Sequence, residues 1–189
     1  MGTRSVEILP DHFYHLYNRG NNKQSIFRTR ENFRFFLRTF RKYFSEERIR
    51  LVAYCLMPNH FHLLILILQK FDFSNVMRSF STSYVKSFHS WHKTSGHLFE
   101  DDYQAKLIRD DKHLIEVIPY IHLNPVIARL VQHPEEWEFS DCNVWCQDRA
   151  GNEIRKQFYG SAASYRRYLN QYATRKREIQ ALERRLLGW

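Results

Sequence analysis

The 189-residue sequence lacks the long hydrophobic runs, paired cysteines and export signal that mark membrane or secreted proteins. Its longest apolar run, residues 63–68, is far too short to span a bilayer and predicts a buried strand. The first fifteen residues show no succession of basic, apolar and small residues, so a signal peptide is not expected. Three cysteines, an odd number, do not suggest a disulfide framework. We therefore expect a cytosolic protein.

Acidic residues are scarce near the end of the chain, where basic residues cluster. The whole chain carries a formal charge of +9. Between Arg155 and Arg185, nine basic residues accompany only two acidic ones, so this segment contributes +7 and the rest of the chain +2. A solvated helix would explain such a run, but clustered Lys and Arg more often neutralise nucleic-acid phosphates. The candidate DNA contacts in this tail are Arg166, Arg167, Arg175, Lys176 and Arg177.

Hydrophobic periodicity predicts the order strand, helix, strand, strand, helix, strand, helix. The strands are expected over 12–19, 48–57, 60–68 and 103–109, and the helices over 30–44, 73–92 and from Asp110 onward. Pro125 is expected to end or kink the last helix near Asn124. Because only two residues join the second and third strands, these must form an antiparallel hairpin.

This order favours an α+β fold, in which a split β-α-β antiparallel sheet has helices on one face. Residues 1–150 are expected to form one domain, and residues 151–189 a basic helical extension. Tyr165, Tyr168 and Tyr172 in that extension are interpreted as a packing stripe. The thiols of Cys142 and Cys146 are expected to be reduced rather than bound to zinc.

The first predicted helix has an aromatic face, interpreted as core, and a basic face. The basic face, a candidate for DNA backbone contact, carries Arg30, Arg34, Arg38 and Lys42 at intervals of four residues. Arg19 and Asn21 are further candidates, because they lie in the polar turn that follows the first strand. A simple turn would explain these two residues equally well.

A pair of histidines opens the third predicted strand. His60 and His62 are two residues apart, so both side chains leave one face of the sheet and Phe61 leaves the other. Two neighbouring imidazoles on a rigid strand form half of a divalent-metal site. An ordinary polar pair at a strand edge is the alternative, but uncompensated polar groups are costly in so apolar a strand. The position therefore favours a ligand role.

A second polar group lies in the segment YIHLNP, residues 120–125. On a helix Tyr120 and Asn124 share a face, with Glu116 one turn earlier. The Asn124 amide oxygen could complete a metal shell, and the Tyr120 phenol could reach a phosphate held by the metal. Alone, this spacing more often reflects packing followed by a helix C-cap. Glu116 is interpreted as a solvated residue, and His122, on another helix face, is left out of the shell.

Together these segments resemble a known family. The run YCLMPNHFHLLI (54–65) resembles the HUH signature, His-hydrophobic-His, of the single-tyrosine transposases. More particularly, YNRGNN (17–22), GHLFEDDY (96–103) and YIHLNPV (120–126) resemble segments of the REP-associated tyrosine transposases, and FSD (139–141) resembles an element near the end of their domain. The resemblance covers about residues 12–140. Several motifs in the family's order make a specific signal.

The resemblance implies a ferredoxin-like antiparallel sheet, the HUH endonuclease fold, with the histidines on a central strand and the tyrosine on a helix beside it. It implies that His60, His62 and Asn124 bind Mg²⁺ or Mn²⁺ and that Tyr120 is the nucleophile. The implied partner is single-stranded DNA from a palindromic repeat folded as a hairpin. A monomer is favoured, with a dimer as the alternative.

The sequence departs from the family in three places. Residues 127–129, Ile-Ala-Arg, replace the usual Arg-Ala-Gly, and residues 100–102 make the loop after Gly96 unusually acidic. FSD stands in place of a Ser-Ser pair. These departures leave the implied chemistry intact, but they prevent the family's DNA contacts from being carried over.

These residues predict strand cleavage and rejoining by a transposase. A phenol with a pKa of about 10 is a poor nucleophile, so a divalent ion that polarises the phosphate would assist it. Attack by Tyr120 would give a 5′-phosphotyrosine and a free 3′-hydroxyl. Two alternatives stay open: a non-catalytic protein that binds DNA hairpins, and a metal-dependent hydrolase that uses water. The protein is expected at the bacterial nucleoid, with no membrane contact and no small-molecule cofactor.

Overall fold

The computed structural model describes residues 7–148 and 152–187, with side chains as far as residue 175. The predicted order of the first seven elements is confirmed, and three further helices follow them. The strands are β1 Phe13–Arg19, β2 Ile49–Met57, β3 His60–Ile67 and β4 Gln104–Leu107. The helices are α1 Arg30–Tyr43, α2 Phe73–His92, α3 Asp111–Ile127, α4 Cys142–Trp145, α5 Glu153–Tyr159 and α6 Ala162–Leu187, with 3-10 turns at Asn21–Lys23 and Pro134–Glu136.

The four strands form one antiparallel sheet in the order β2-β3-β1-β4. The two central strands are β3 and β1, and the predicted hairpin between β2 and β3 pairs Met57 with His60. Each of the two β-α-β units has a third strand inserted between its parallel strands, which is the ferredoxin-like arrangement. The predicted α+β fold class is therefore confirmed.

The alternation of side chains along β3 divides the core in two. Phe61, Leu63 and Ile65 face α1 and α2. Leu64 faces the opposite side and packs with α3, α4, α5 and α6. The prediction of helices on one face is therefore wrong, since helices cover both faces. The physical reason is the unbroken apolar run at residues 63–68, because a strand with one solvated face alternates with polar residues.

Helix α3 starts where predicted but ends later than expected. The Asp110 side chain caps it by accepting a hydrogen bond from the His113 N–H at 2.7 Å. The helix then runs through Pro119 and Pro125 to Ile127, so it does not end near Asn124, and the alternative of a kink at Pro125 stays a prediction. Because proline has no N–H, the carbonyl four residues before each proline loses its usual hydrogen-bond donor.

Side chains supply both of the missing donors in α3. The Tyr159 hydroxyl of α5 donates to the Ile115 carbonyl at 2.7 Å, which is the carbonyl that Pro119 leaves free. The Asn124 amide donates to the Ile121 carbonyl at 3.3 Å, which is the one that Pro125 leaves free. The helix therefore continues past both prolines, since buried carbonyls remain paired.

The expected helical extension is present as α5 and α6, which pack against α3. Tyr165 is fully buried, and Tyr168 and Tyr172 lie partly buried beside it, so the predicted packing stripe is confirmed. His122, also fully buried, hydrogen-bonds the Tyr165 hydroxyl and, at 3.0 Å, the Asp141 carboxylate. The proposed boundary near residue 150 stays a prediction. None of the described helices is long and apolar enough to cross a bilayer.

Candidate active site

The two histidines lie side by side at the start of β3, on the face of the sheet that α3 covers. The ring centroids of His60 and His62 are 5.0 Å apart, and their planes are nearly perpendicular. His62 is 7% exposed, and His60 is partly buried. The predicted shared face is therefore confirmed, and it points at the helix that carries the tyrosine.

Helix α3 brings Tyr120 and Asn124 to the histidines. The ring centroid of Tyr120 is 5.5 Å from that of His62, and the Asn124 side chain lies near enough to both histidines to influence their pKa values. All four line one cavity of about 480 Å³. Tyr120 is 36% exposed, so its phenol can meet a large substrate.

Each histidine has its Nδ1 atom occupied by a neighbour. His60 Nδ1 donates to the Asn59 side-chain oxygen at 2.7 Å, and His62 Nδ1 lies 2.9 Å from His15 Nε2. Nε2 is therefore the atom that each imidazole has left for a ligand. The Asn124 Nδ2 atom donates to the Tyr120 carbonyl at 2.8 Å, which leaves Oδ1 for the histidine side.

The donor set fits a divalent metal ion, and its identity as Mg²⁺ or Mn²⁺ stays a prediction. Two imidazole nitrogens and an amide oxygen suit a divalent ion and leave coordination positions open for phosphate oxygens and water. Burial lowers the pKa of His60 and, more strongly, that of His62, while the neighbouring Asn124 side chain acts in the opposite direction. Both imidazoles are therefore neutral at pH 7, which is the form that binds metal.

Three further residues of the site face were missed in the sequence: His15, Tyr17 and Lys106. Burial lowers the pKa of His15 to about 4, with smaller contributions from Lys106 and His113. Lys106 Nζ lies 5.4 Å from the centre of the Tyr17 ring, and β4 pairs Lys106 with His15. The signal was available, because β1 residues 13, 15 and 17 alternate onto one face. Using it required knowing that β1 is the neighbour of β3.

The pKa of Tyr120 responds to two opposing influences. Burial raises the pKa of the phenol above its usual value, and the positive charge of Lys106 lowers it. Burial is the larger influence. The phenol is therefore protonated at neutral pH in the free protein and needs help to become a nucleophile.

Of the predicted DNA contacts, Arg19 lines the cavity. Its side chain is held by Glu100, with Nε donating to the carboxylate at 2.7 Å. The acidic residues 100–102, noted as a departure from the family, line the same cavity. Asn21 lies in the adjoining turn, where its N–H donates to the Leu98 carbonyl at 2.9 Å. Its side chain does not line the cavity.

None of the other predicted contacts with a described side chain lines the cavity. Arg34 and Arg38 are on α1, across the sheet, where Glu138 and Glu31 pair with them at 3.4 and 3.1 Å. Exposed positions on α6 are occupied by Arg166, Arg167 and Arg175. Lys176 and Arg177 lie outside the part of the chain with described side chains. A role in DNA binding stays a prediction for all of them.

The remaining interpretations concern residues outside the cavity. His122 points away into the core, as its exclusion from the metal shell required. Glu116 is exposed on α3 beside Tyr168 and Tyr172, in agreement with a solvated residue. Cys142 and Cys146 form no disulfide, and their Sγ atoms are 4.0 Å apart with Glu135 beside them, so their interpretation as metal-free thiols stays a prediction.

The fold and the site together define a class of protein. A tyrosine that shares one cavity with a histidine pair and an amide, on a ferredoxin-like sheet, is the arrangement of an HUH single-tyrosine transposase. The sequence model of the family described as "Transposase IS200 like" matches residues 9–124. The chain belongs to this family.

Two relatives make the resemblance more specific. A curated protein of Haemophilus influenzae, described as a REP-associated tyrosine transposase, is 27% identical over 118 residues, which are 53% of this chain and 66% of that protein. The match therefore spans slightly less than two thirds of the relative. A solved structure of a REP-associated tyrosine transposase bound to a REP hairpin superposes with a TM-score of 0.59 at 19% identity, and the match covers 75% of this chain and 82% of that one. The resemblance given by the motifs is thus confirmed, and the structural likeness supports the fold.

Proposed function

We propose that this protein is a metal-dependent transposase that cuts single-stranded DNA through a 5′-phosphotyrosine and rejoins the strands. The observation that carries the proposal is the convergence of His60, His62, Asn124 and Tyr120 on one cavity, from two elements that are far apart in sequence. Two neighbouring imidazoles that line a cavity together with an amide and a phenol are the arrangement that a catalytic metal site requires.

The reaction follows from the position of the phenol. The Tyr120 hydroxyl oxygen attacks the scissile phosphorus, so a phosphotyrosine bond forms as the bond from phosphorus to the 3′ oxygen breaks. The 3′ oxygen leaves with the bonding electrons and takes up a proton, which gives a free 3′-hydroxyl. Attack on the phosphotyrosine by a second 3′-hydroxyl reverses these steps and joins that strand. Because one phosphodiester replaces another, no ATP is required.

His60, His62 and Asn124 would hold the divalent ion. When bound, Mg²⁺ or Mn²⁺ supplies polarisation of the phosphate and compensates the negative charge that develops there. The protein keeps both imidazoles neutral by burial and orients them through their Nδ1 contacts. Lys106 places a further positive charge near the phenol, which favours its ionised form.

The proposed substrate is a single strand that carries a palindromic repeat hairpin. The solved relative is a REP-associated tyrosine transposase bound to a REP hairpin, which supports this class of substrate. Exposed arginines on α6 offer charge for the DNA backbone. A protein that acts on chromosomal repeats would work at the bacterial nucleoid. We favour a monomer, as the resemblance to the REP-associated tyrosine transposases implies.

The test is covalent capture of the cut strand. Oligonucleotides with a REP-type hairpin and single-stranded flanks, labelled at either the 3′ or the 5′ end, are incubated with the protein and Mn²⁺ and then denatured. The 3′ label should stay with the protein, and the 5′ label should be released on a shorter strand. Tyr120→Phe should abolish the adduct, while Tyr43→Phe, on α1 across the sheet, should retain it.

Other outcomes identify the alternatives. Cleavage that survives in Tyr120→Phe, with neither label on the protein, would indicate a hydrolase that uses water. Hairpin binding without cleavage in Mg²⁺ or Mn²⁺ would indicate a non-catalytic binding protein. Cleavage that EDTA leaves unchanged would remove the metal from the mechanism.

A further inference from the structure

We infer that His15 is a positioning residue, which holds His62 in the tautomer that presents Nε2 to the metal. The inference deepens the proposed function and rests on it. It assigns a task to a buried histidine that does not itself line the cavity.

The contact between the two rings is direct and shielded from water. His15 Nε2 lies 2.9 Å from His62 Nδ1, and the ring centroids are 5.0 Å apart. Both residues are 7% exposed. They lie on the two central strands, where β1 pairs Tyr17 with His62 and Leu16 with Leu63. This register places His15 diagonally across from His62, so the backbone of the sheet fixes the distance.

The chemistry of two neutral imidazoles decides the direction of the hydrogen bond. Each ring has one N–H and one bare nitrogen, and only one hydrogen fits between Nε2 of His15 and Nδ1 of His62. A metal bond from His62 Nε2 requires that nitrogen to be bare, so the hydrogen must be on His62 Nδ1. His15 Nε2 is then the acceptor, and its own hydrogen is on Nδ1.

The companion histidine is held in the same way by a different group. The Asn59 side-chain oxygen, which can only accept, receives the hydrogen of His60 Nδ1 at 2.7 Å. Both imidazoles are therefore oriented through Nδ1, one by an amide oxygen and one by an imidazole nitrogen. Partners of this kind raise the metal affinity of a histidine site, and their loss typically weakens binding 10–100-fold.

The test compares two replacements of His15. Gln places an amide oxygen near the position of the imidazole Nε2, so His15→Gln keeps an acceptor for His62. Leu fills similar space and accepts nothing, so His15→Leu leaves His62 Nδ1 without a partner. The dissociation constant for Mn²⁺ is measured by electron paramagnetic resonance in the full-length protein without DNA, beside thermal unfolding in EDTA.

We expect His15→Leu to bind Mn²⁺ about 10–100-fold more weakly, and His15→Gln to stay within a few-fold of wild type. Saturating Mn²⁺ should restore single-turnover cleavage to His15→Leu, because Tyr120 is untouched. The inference is overturned if the Leu variant binds as tightly as wild type, or if Gln fails as badly as Leu, since packing would then be the cause.

Nitrogen NMR provides a reading that does not depend on the stability of any variant. In the wild-type protein without metal, the His62 ring should carry its hydrogen on Nδ1 and the His15 ring should carry its hydrogen on Nδ1 as well. A hydrogen on His62 Nε2 would contradict the inference. Wild-type protein that neither binds Mn²⁺ nor cleaves DNA would instead contradict the proposed function, and the inference with it.

Discussion

The reactive phenol of Tyr120 lies close to the positive charge of Lys106. Lys106 reaches over the Tyr17 ring from β4, and its charge lowers the pKa of Tyr120 against the larger effect of burial. Because a phenolate attacks phosphorus far better than a phenol does, this charge acts on the fraction of protein that is ready to react. Its removal should raise the pKa of Tyr120 further.

Lys106→Gln should therefore slow adduct formation at neutral pH and move the pH–rate profile towards higher pH. The reduction should be at most about tenfold, since Lys106 is exposed and one pKa unit changes the ionised fraction tenfold. The reduction in rate and the shift of the profile are measured as single-turnover rates of adduct formation at saturating DNA between pH 6 and 9. Lys70→Gln, at the far end of β3 from the histidines, serves as the matched control. Coincident profiles for Lys106→Gln and wild type would refute the effect.

At the scale of elements, α3 carries the nucleophile on a helix that two prolines would be expected to break. The helix persists because Tyr159 and Asn124 supply donors to the carbonyls that the prolines leave free. The Asn124 side chain thus donates through Nδ2 to the carbonyl that Pro125 leaves free, while its Oδ1 remains on the histidine side. Tyr159 links α3 to α5 at Ile115, five residues before Tyr120. The C-terminal helices therefore help to place the nucleophile.

Tyr159→Phe should lower the free energy of unfolding by about 1–3 kcal/mol, because it leaves the Ile115 carbonyl without a partner inside the packed layer. Urea unfolding measures the loss. Tyr168→Phe is the matched control, since the Tyr168 hydroxyl has no hydrogen-bond partner among the described residues. Equal stabilities of the two variants would show that the Tyr159 hydroxyl does not support α3.

How far the sequence predicts these elements depends on the range of the interactions. The histidine pair, the hairpin and the Asp110 cap are set by neighbours a few residues away, so local spacing predicted them. The continuation of α3 through Pro119 is supported by a hydroxyl 44 residues beyond Ile115, which no local pattern reveals. The role of His15 could not be predicted for a similar reason. Its partner His62 is 47 residues away, and the contact between them depends on the order of the strands in the sheet.

At the scale of the whole molecule, the two groups of basic residues lie on different sides of the sheet. The α1 arginines are across the sheet from the cavity and are paired with Glu31 and Glu138. Helix α6 packs on α3, and burial raises the pKa of its Tyr172, with a smaller contribution from the neighbouring Tyr120. A strand that enters the cavity is therefore expected to meet α6 before it meets α1.

Two double variants that each remove two positive charges test this expectation. Arg167→Gln with Arg175→Gln should weaken hairpin binding and reduce the slope of log affinity against log salt by about 1–2 units, since each lost phosphate contact changes that slope by roughly 0.7–0.9. Arg34→Gln with Arg38→Gln should change the slope less, because their acidic partners already offset those charges. Fluorescence anisotropy of a labelled hairpin between 50 and 300 mM NaCl measures both slopes. An equal change of the salt slope in the two double variants would mean that the DNA extends around the sheet to α1. A change of slope only in the α1 double variant would place the hairpin on the opposite face from the nucleophile.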